Sequence, residues 1–469
     1  MASPPPALAA PPIGEDALFF HNPPSDLGLL RALFVGRESE LAFLQRRLPG
    51  TMPGTIRAIH GESRVGKSHL AKRFLADLQG LHVVDVPAAS GKRAFIILRD
   101  IYAALRSKID EAWTRAGSHP DSLAHIDPAT RAPTPASPDG EGVPAYQDLA
   151  AALDLIEQMD DLIEGRAQSR ELNSGEGDES SAEVAIKPSA SAIGINISGI
   201  GLGGTAKHTR SLGDKRVLMR PDENGLCAVI AQLAQALHLA TGQRVLVYVD
   251  DVDLLDEGPG ADPEQVVLLN RALYRLSKSP DLVIVSSLRT RHLHDRDKEF
   301  SEVVRVRRLK DSELRQIYER QLEYFGIAQP ILDADCLDRL IQHAGGKVGV
   351  FLRLCFELRD YGLLERPGQV LTAEDLVAFF VEKIRHELLS TADYRPHILS
   401  IVAALKENRL EVELPATIQS TPIPHLLLDD PPTPYFPRSY RIKHLTTQAL
   451  TRLYPSELSP PATRPESPR

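Results

Sequence analysis

Long apolar runs are missing from this chain. No stretch of 18 apolar residues occurs, so no segment is expected to cross a membrane as a helix. Cysteine is scarce: Cys227, Cys336 and Cys355 are the only three, widely spaced and without a Cys-x-x-Cys pair. That excludes a disulfide framework and fits a reducing, cytoplasmic setting. Positive charge is not in excess either, since 54 Lys and Arg face 63 Asp and Glu, a net charge of −9. A chain built to coat nucleic acid is therefore not expected, although a local basic face stays open. No Asn-Lys-x-Asp run is present, which speaks against guanine recognition, and no Ser/His/Asp or Cys/His constellation stands out. The opening Met1–Pro12 has no basic flank and too many prolines for a signal peptide. It reads as a loose tail, as does Ser459–Arg469. What remains is ordinary for a soluble protein, 42% hydrophobic and 25% charged, and 469 residues leave room for two or three domains.

The most informative feature that is present runs from Gly61 to Ser68: Gly-Glu-Ser-Arg-Val-Gly-Lys-Ser. It has the P-loop spacing G-x-x-x-x-G-K-[ST]. An apolar run with strand character, Thr55–His60, precedes it, and a helical pattern, His69–Leu78, follows. A strand feeding a glycine-rich turn that opens a helix aims several backbone N–H groups at one spot, where phosphate binds. Gly61, Glu62, Ser63, Arg64, Val65, Gly66, Lys67, Ser68 and His69 are thus candidate nucleotide contacts. Lys67 supplies a cation for the β- and γ-phosphates, and the Ser68 hydroxyl a ligand for Mg²⁺.

Five apolar runs read as strands: Thr55–His60, Leu81–Val86, Arg244–Asp250, Asp281–Ser287 and Val303–Val306. Helical patterns between them predict an α/β fold with a parallel sheet. After Val306 helices dominate, at Asp311–Phe325, Asp333–Ala344, Val350–Asp360 and Thr372–Leu389. Thr372-Ala-Glu-Asp375 has the form of a helix cap. Far more chain separates Lys67 from Asp250 than a βα unit of ~30 residues takes, so an insertion is expected over 117–220. Within it, 117–146 and 166–183 read as loops, Asp148–Ile163 as a helix, and Val184–Leu202 as a bulged strand or hairpin. That ribbon suits either self-association or packing on its own core. Residues 391–455 suit a small winged-helix-like module or a loose arm. The expected layout is a tail (1–21), a P-loop core (22–308), a helical lid (309–390), the module (391–455) and a second tail (456–469).

Hydrolysis needs one carboxylate for Mg²⁺ and one to orient the attacking water. Val245-Leu-Val-Tyr-Val-Asp-Asp251 ends a strand with both. Asp250 is the candidate metal ligand and Asp251 the candidate catalytic base, its short side chain predicting slow turnover. Asp253, Asp256 and Glu257 read as solvated. Ser287 and Arg289, at the tip of the next strand, are candidate γ-phosphate sensors, and Arg271, Arg275 and Arg291 are open as fingers toward a neighbouring subunit. The cluster Arg305, Arg307, Arg308 and Lys310 reads as a solvated face. His292, His294 and Asp295 are crowded for a metal site and read as a loop. Trp113 falls on an apolar helix face.

Phe34-Val-Gly-Arg-Glu38 with Glu40-Leu41 resembles the N-terminal, adenine-side motif of AAA+ and STAND-type ATPases, in the branch that includes origin-recognition-like proteins. Asn22-Pro-Pro24 resembles the lead-in of bacterial members. The resemblance implies an AAA+-type parallel sheet core with a helical lid, and base contacts from Val35, Gly36 and Arg37. It also makes Asp250-Asp251 the STAND form of the Mg²⁺ motif. Leu309–Leu314 resembles the junction into the lid. Ala344-Gly-Gly-Lys-Val-Gly-Val-Phe-Leu-Arg353 resembles a lid element where relatives carry Gly-Gly-x-Pro-Arg or Gly-x-Pro-Leu, but here Val348 and Gly349 replace the proline and the sensor arginine. Whether Arg353, one turn later, substitutes is open.

The expected function is an ATP-binding, ATP-hydrolysing switch that couples nucleotide state to assembly or partner control. ATP or ADP and Mg²⁺ are its ligands, and a homo-oligomer forms with ATP. Two alternatives stay open: a DNA-associated loader, and an ATP-dependent scaffold with little turnover. Nine Lys and Arg against eight Asp and Glu over 391–469 do not favour DNA.

Overall fold

A computed structural model of the chain describes residues 19, 26–47, 53–117, 144–163, 168–170, 216–218, 222–256, 262–289, 300–414, 423, 427–429 and 439–458. They divide into two compact units. One takes Met1–Leu41, Gly61–Ala76 and Arg305–Arg469, the other Ala42–His60 and Asp77–Val304.

The second unit carries the main sheet. Its strands are β1 (Ile56–Gly61), β2 (Leu81–Pro87), β5 (Arg244–Asp250), β6 (Leu282–Arg289) and β7 (Phe300–Arg305), while β3 (Gln168–Arg170) and β4 (Arg216–Leu218) form a separate antiparallel pair. The five main strands lie in the order β2-β5-β6-β1-β7. β5 runs parallel to β2, with Leu81 opposite Arg244 and Pro87 opposite Asp250, and parallel to β6, with Val249 opposite Ser286. This is a mostly parallel α/β sheet, the fold class expected. β5 and β6 are buried along nearly their whole length, as inner strands of a parallel sheet are, and their valines and isoleucines suit that place.

Helices Ala94–Gly117, Pro144–Ile163, Glu223–Thr241 and Pro263–Ser277 share one buried cluster with the sheet, including Ile97, Ile101, Ile230, Leu237, Val247 and Val249. Trp113 packs at its edge. Asp222 caps the third of these helices, accepting from the Gly225 N–H at 2.7 Å, and Gly242 ends it in a left-handed turn, φ 69°. Residues 144–146 are helical and 168–170 extended, where loops were expected. Val184–Leu202, Asn22–Pro24, Arg291 and His292–Asp295 lie outside the described residues.

In the first unit, helices Asp311–Tyr324, Ala334–Ala344, Val348–Glu365 and Ala373–Lys383 follow one another. The expected cap forms: Asp375 accepts from the Thr372 N–H at 2.9 Å and Thr372 accepts from the Asp375 N–H at 3.4 Å. After them come helix Arg395–Lys406, strands β8 (Glu411–Glu413), β9 (Leu428–Asp429) and β10 (Ser439–Ile442), and helix His444–Leu453. The three strands form a sheet in the order β8-β10-β9. Phe351 and Phe380 from the first group share one buried cluster with Ile401, Tyr440 and Leu450 from the second. Phe19, within the stretch expected as a tail, is also in it and stacks on Tyr318 at 5.6 Å. Among the described residues no helix is long and apolar enough to cross a membrane.

Candidate nucleotide site

Within the first unit, the turn after Gly61 leads into helix Lys67–Ala76, whose first bond runs from the Leu70 N–H to the Gly66 carbonyl at 3.0 Å. Gly66 has φ +94°, and a Cβ there would meet Val348 Cγ1 at 2.7 Å. A Cβ on Gly61 would meet the Val306 carbonyl oxygen at 2.8 Å. Both glycines are thus required by neighbours from later in the chain, as well as by the turn. Lys67 is buried and its ammonium donates to the Glu62 carbonyl at 3.2 Å. Ser68 follows in the first turn, and His69 lines the pocket described below.

The lid sequence meets this turn directly. The Gly349 N–H donates to the Arg64 carbonyl at 2.9 Å, and a Cβ at Gly349 would stand 3.2 Å from Arg64 Cβ. At Gly349 the contact is backbone to backbone and excludes a long side chain. Arg353, on the same helix as Glu357, donates to it through Nε at 2.7 Å. Two cations instead approach Glu62. Arg308 binds its carboxylate through Nε (2.9 Å) and Nη2 (2.6 Å), and the ammonium of buried Lys347 lies 3.9 Å away. Arg305, Arg307 and Lys310 are exposed, as the solvated face expected there, and Arg308 is half-buried. Arg307 forks onto Glu313, both bonds 2.9 Å, and this bonding holds the Glu313 carboxyl down at about 2.

Val35, Gly36 and Arg37 precede helix Glu38–Arg47. Gly36 has φ +71°, and a Cβ there would meet Glu313 Oε1 at 2.9 Å. Arg320 donates to the Phe34 carbonyl at 2.9 Å, which ties this segment to the lid. Arg37 is 3% exposed and donates through Nη2 to the Val65 carbonyl of the turn, while its Nη1 is buried without a hydrogen-bond partner. Desolvation, opposed by Glu40, lowers its pKa to about 10. Arg37, His69 and Gln321 line an apolar pocket whose walls include Phe34, Val35 and Ile317. Gln321 accepts from the Phe19 N–H at 2.7 Å.

Within the second unit, the strand tips hold the acids. Asp250 Oδ1 accepts from Ser287 Oγ at 2.5 Å and from the Tyr248 hydroxyl at 2.6 Å. Ser287 Oγ also accepts from the Asp251 N–H at 2.7 Å. The β5–β6 register explains this trio, since it sets the two strand ends side by side. Arg289 pairs with Asp253, Nε to Oδ2 at 2.8 Å, and its N–H donates to the same carboxylate. Asp253, expected to be solvated, is 1% exposed because β6 supplies that partner. Arg275 donates to Asn224 within the unit. Asp251 (φ 49°), Arg37 (φ 66°) and Arg64 (φ 62°) are three of five non-glycine residues with positive φ among the described residues. Such strain collects at functional sites.

Ser68 and Asp250 offer hard oxygen donors of the kind Mg²⁺ takes. Among the described residues no three His, Cys, Asp or Glu converge on a metal position. Mg²⁺ held mainly by phosphates and water needs no such cage. The sequence reading gave no role at the site to Ile317, Gln321 or the Tyr248 and Asp253 bonds, which nothing local marked; Phe34 stood in the Phe34–Glu38 motif, Arg308 in the basic cluster and Lys347 in the Gly-Gly-Lys run, without the contacts seen here.

No protein-family model and no curated protein sequence matches the chain. Among solved structures it is similar to the Thermotoga maritima RuvB Holliday junction branch migration motor: 10% identity, 92% of this chain and 99% of that one covered, TM-score 0.38. It is also similar to the Aeropyrum pernix ORC2 protein in ADPNP–ADP complexes: 12% identity, 92% and 94% covered, TM-score 0.36. No residue assignment rests on these likenesses.

Proposed function

We propose that this chain is an ATP-binding, ATP-hydrolysing molecular switch of the AAA+/STAND type that couples nucleotide state to assembly or partner control. The observation that carries the reading is the first unit's turn and its pocket. A glycine-rich turn opens a helix, Lys67 sits at its base, and Gly66, His69 and Arg37 border an apolar cavity. The cavity suits a purine, and Arg37 brings it a buried N–H that a ring nitrogen would accept. Turn N–H groups and Lys67 would hold the phosphates, and Ser68 of the first unit and Asp250 of the second are the residues assigned to Mg²⁺, which when bound would neutralise charge developing on the phosphates. Asp251 accepts a proton from the attacking water, and Ser287 positions the neighbouring Asp250. Arg289 serves as the γ-phosphate sensor. Its pairing with Asp253, and the missing lid arginine, favour the second reading, a scaffold with little turnover.

Calorimetric titration with Mg·ATP tests the reading. The chain takes up one nucleotide and Lys67→Ala does not. Light scattering then shows a larger mass with a non-hydrolysable triphosphate than with ADP. No uptake by the unaltered chain overturns the reading, and uptake without turnover leaves the scaffold.

A further inference from the structure

Phe19 has φ 63°, a left-handed backbone that a bulky side chain rarely takes. It is 1% exposed, its ring stacks on Tyr318 of helix Asp311–Tyr324, and its N–H donates to the Gln321 side chain at 2.7 Å. Strained residues persist only where their surroundings hold them, and they gather at ligand clamps. On that helix Tyr318 meets Phe19, while Ile317 and Gln321, one turn apart, line the apolar pocket beside the P-loop turn. Gln321 is 2% exposed, and among the described residues its side chain bonds only to Phe19. A backbone N–H can only donate, so the atom it meets is the amide oxygen of Gln321 and not the nitrogen. With Oε1 held at the Phe19 N–H, the amide turns its NH₂ the other way, as the donor that a ligand in the pocket meets.

We propose that Gln321 reads the nucleotide base in this pocket and that Phe19 positions it to do so. The proposal rests on the nucleotide reading above and adds to it the polarity of one contact. An amide free to turn over offers a donor or an acceptor and discriminates poorly, whereas one fixed by Phe19 offers a donor alone. Arg37 Nη1 is a second buried donor of the same pocket. The ring nitrogens of a purine accept, and so match these donors. A ring N–H or an amino group set against either one leaves a buried donor facing a donor, which is the kind of mismatch that separates substrates strongly. Phe19 acts on the base through Gln321 without touching it, although the two residues lie 302 positions apart in the chain.

The test is calorimetric titration of the full-length chain with Mg·ATP and with its 1-deaza, 3-deaza and 7-deaza analogues, each of which lacks one accepting ring nitrogen. For want of the Gln321 bond, one analogue binds the unaltered chain roughly twofold to tenfold more weakly than ATP. Gln321→Glu keeps an oxygen for the Phe19 N–H and sets a second oxygen where NH₂ stood. It weakens ATP by roughly tenfold or more and abolishes that analogue's deficit. Gln321→Leu abolishes the same deficit, and it decides the matter if a buried carboxylate disturbs folding. Phe19→Ala frees the amide and shrinks the deficit, while Phe19→Leu, which keeps an apolar anchor, recovers part of it. A merely structural loss lowers all four affinities together and leaves their ratios as they were. Uptake of ATP with all three analogues bound as tightly, or deficits all unchanged by Gln321→Leu, overturns the base contact. A deficit unchanged by Phe19→Ala overturns the positioning role. No uptake of ATP by the unaltered chain overturns the nucleotide reading, and this inference with it.

Discussion

The P-loop turn and the acidic strand tips are built by opposite means. Around the turn, bonds join parts of the chain far apart in sequence: Arg37 to Val65, Arg308 to Glu62, Gly349 to Arg64. At the strand tips, Tyr248, Asp250, Asp251, Asp253, Ser287 and Arg289 come from just two adjacent parallel strands and the turn after one of them. The first region depends on how the lid folds. The second is fixed once β5 and β6 pair. The proposal divides labour along the same line, with affinity at the turn and turnover at the tips.

The largest expected effect tests that division at the tips. Asp251→Asn removes the proposed proton acceptor and lowers kcat by about 10²–10⁴-fold, the usual contribution of a general base. Mg·ATP affinity stays within about threefold, since Asp251 is assigned no part in binding. Steady-state hydrolysis and calorimetry on one preparation check both halves. An equal loss of affinity would break the comparison. Next comes Lys67→Ala at the turn. Losing a charge-assisted bond of about 1.5–3 kcal/mol weakens Mg·ATP binding by roughly 10–150-fold. A variant with normal affinity and low kcat would move Lys67 to the other side of the division.

The same contrast explains what could be read in advance. The strands were legible because β-branched runs such as Val245–Val249 can settle only in a buried sheet. The Thr372–Asp375 cap was legible because both partners lie within one turn. Asp250 and Asp251 were legible as acids ending an apolar strand. Asp253 was misread as solvated because its partner, Arg289, arrives on another strand. Arg307 and Arg308 were legible as an exposed basic face, but not their partners Glu313 and Glu62, which face them only after folding. Gly349 was seen as a departure, but the reason, a carbonyl of the P-loop turn at 2.9 Å, lies in tertiary structure. Local patterns report bonds within an element, whereas charge pairs between elements leave no period in sequence.

A smaller effect sharpens the picture of the tips. Ser287 Oγ donates to Asp250 and accepts from the Asp251 N–H, and it is fully buried. Ser287→Ala leaves both groups without that partner, at a cost of about 1–3 kcal/mol in unfolding free energy. Urea denaturation measures it. Ser287→Thr, which keeps a hydroxyl, recovers part of the loss if the added methyl fits. A Ser287→Ala chain as stable as its parent would mean that this trio contributes nothing to holding the strand ends.

The smallest expected effect is on stability and lies at the turn. Glu62→Gln removes the carboxylate that Arg308 grips and Lys347 approaches. Both side chains of the Glu62–Arg308 pair are 38% exposed, so water screens the attraction, and the loss in unfolding free energy is about 0.2–1 kcal/mol. Its effect on ligand binding has the opposite sign. Arg308 and Lys347 approach Glu62 of the turn, and a triphosphate would compete with Glu62 for them. Once freed from Glu62, they favour nucleotide, and Mg·ATP affinity rises by about twofold to fivefold, or less than 1 kcal/mol. Salt separates the two contributions. The stability difference between Glu62→Gln and its parent shrinks toward zero at 1 M ionic strength, where the screening length is about 3 Å. A Glu62→Gln chain with weaker nucleotide binding would instead make Glu62 a supporting part of the turn, held in place by the lid.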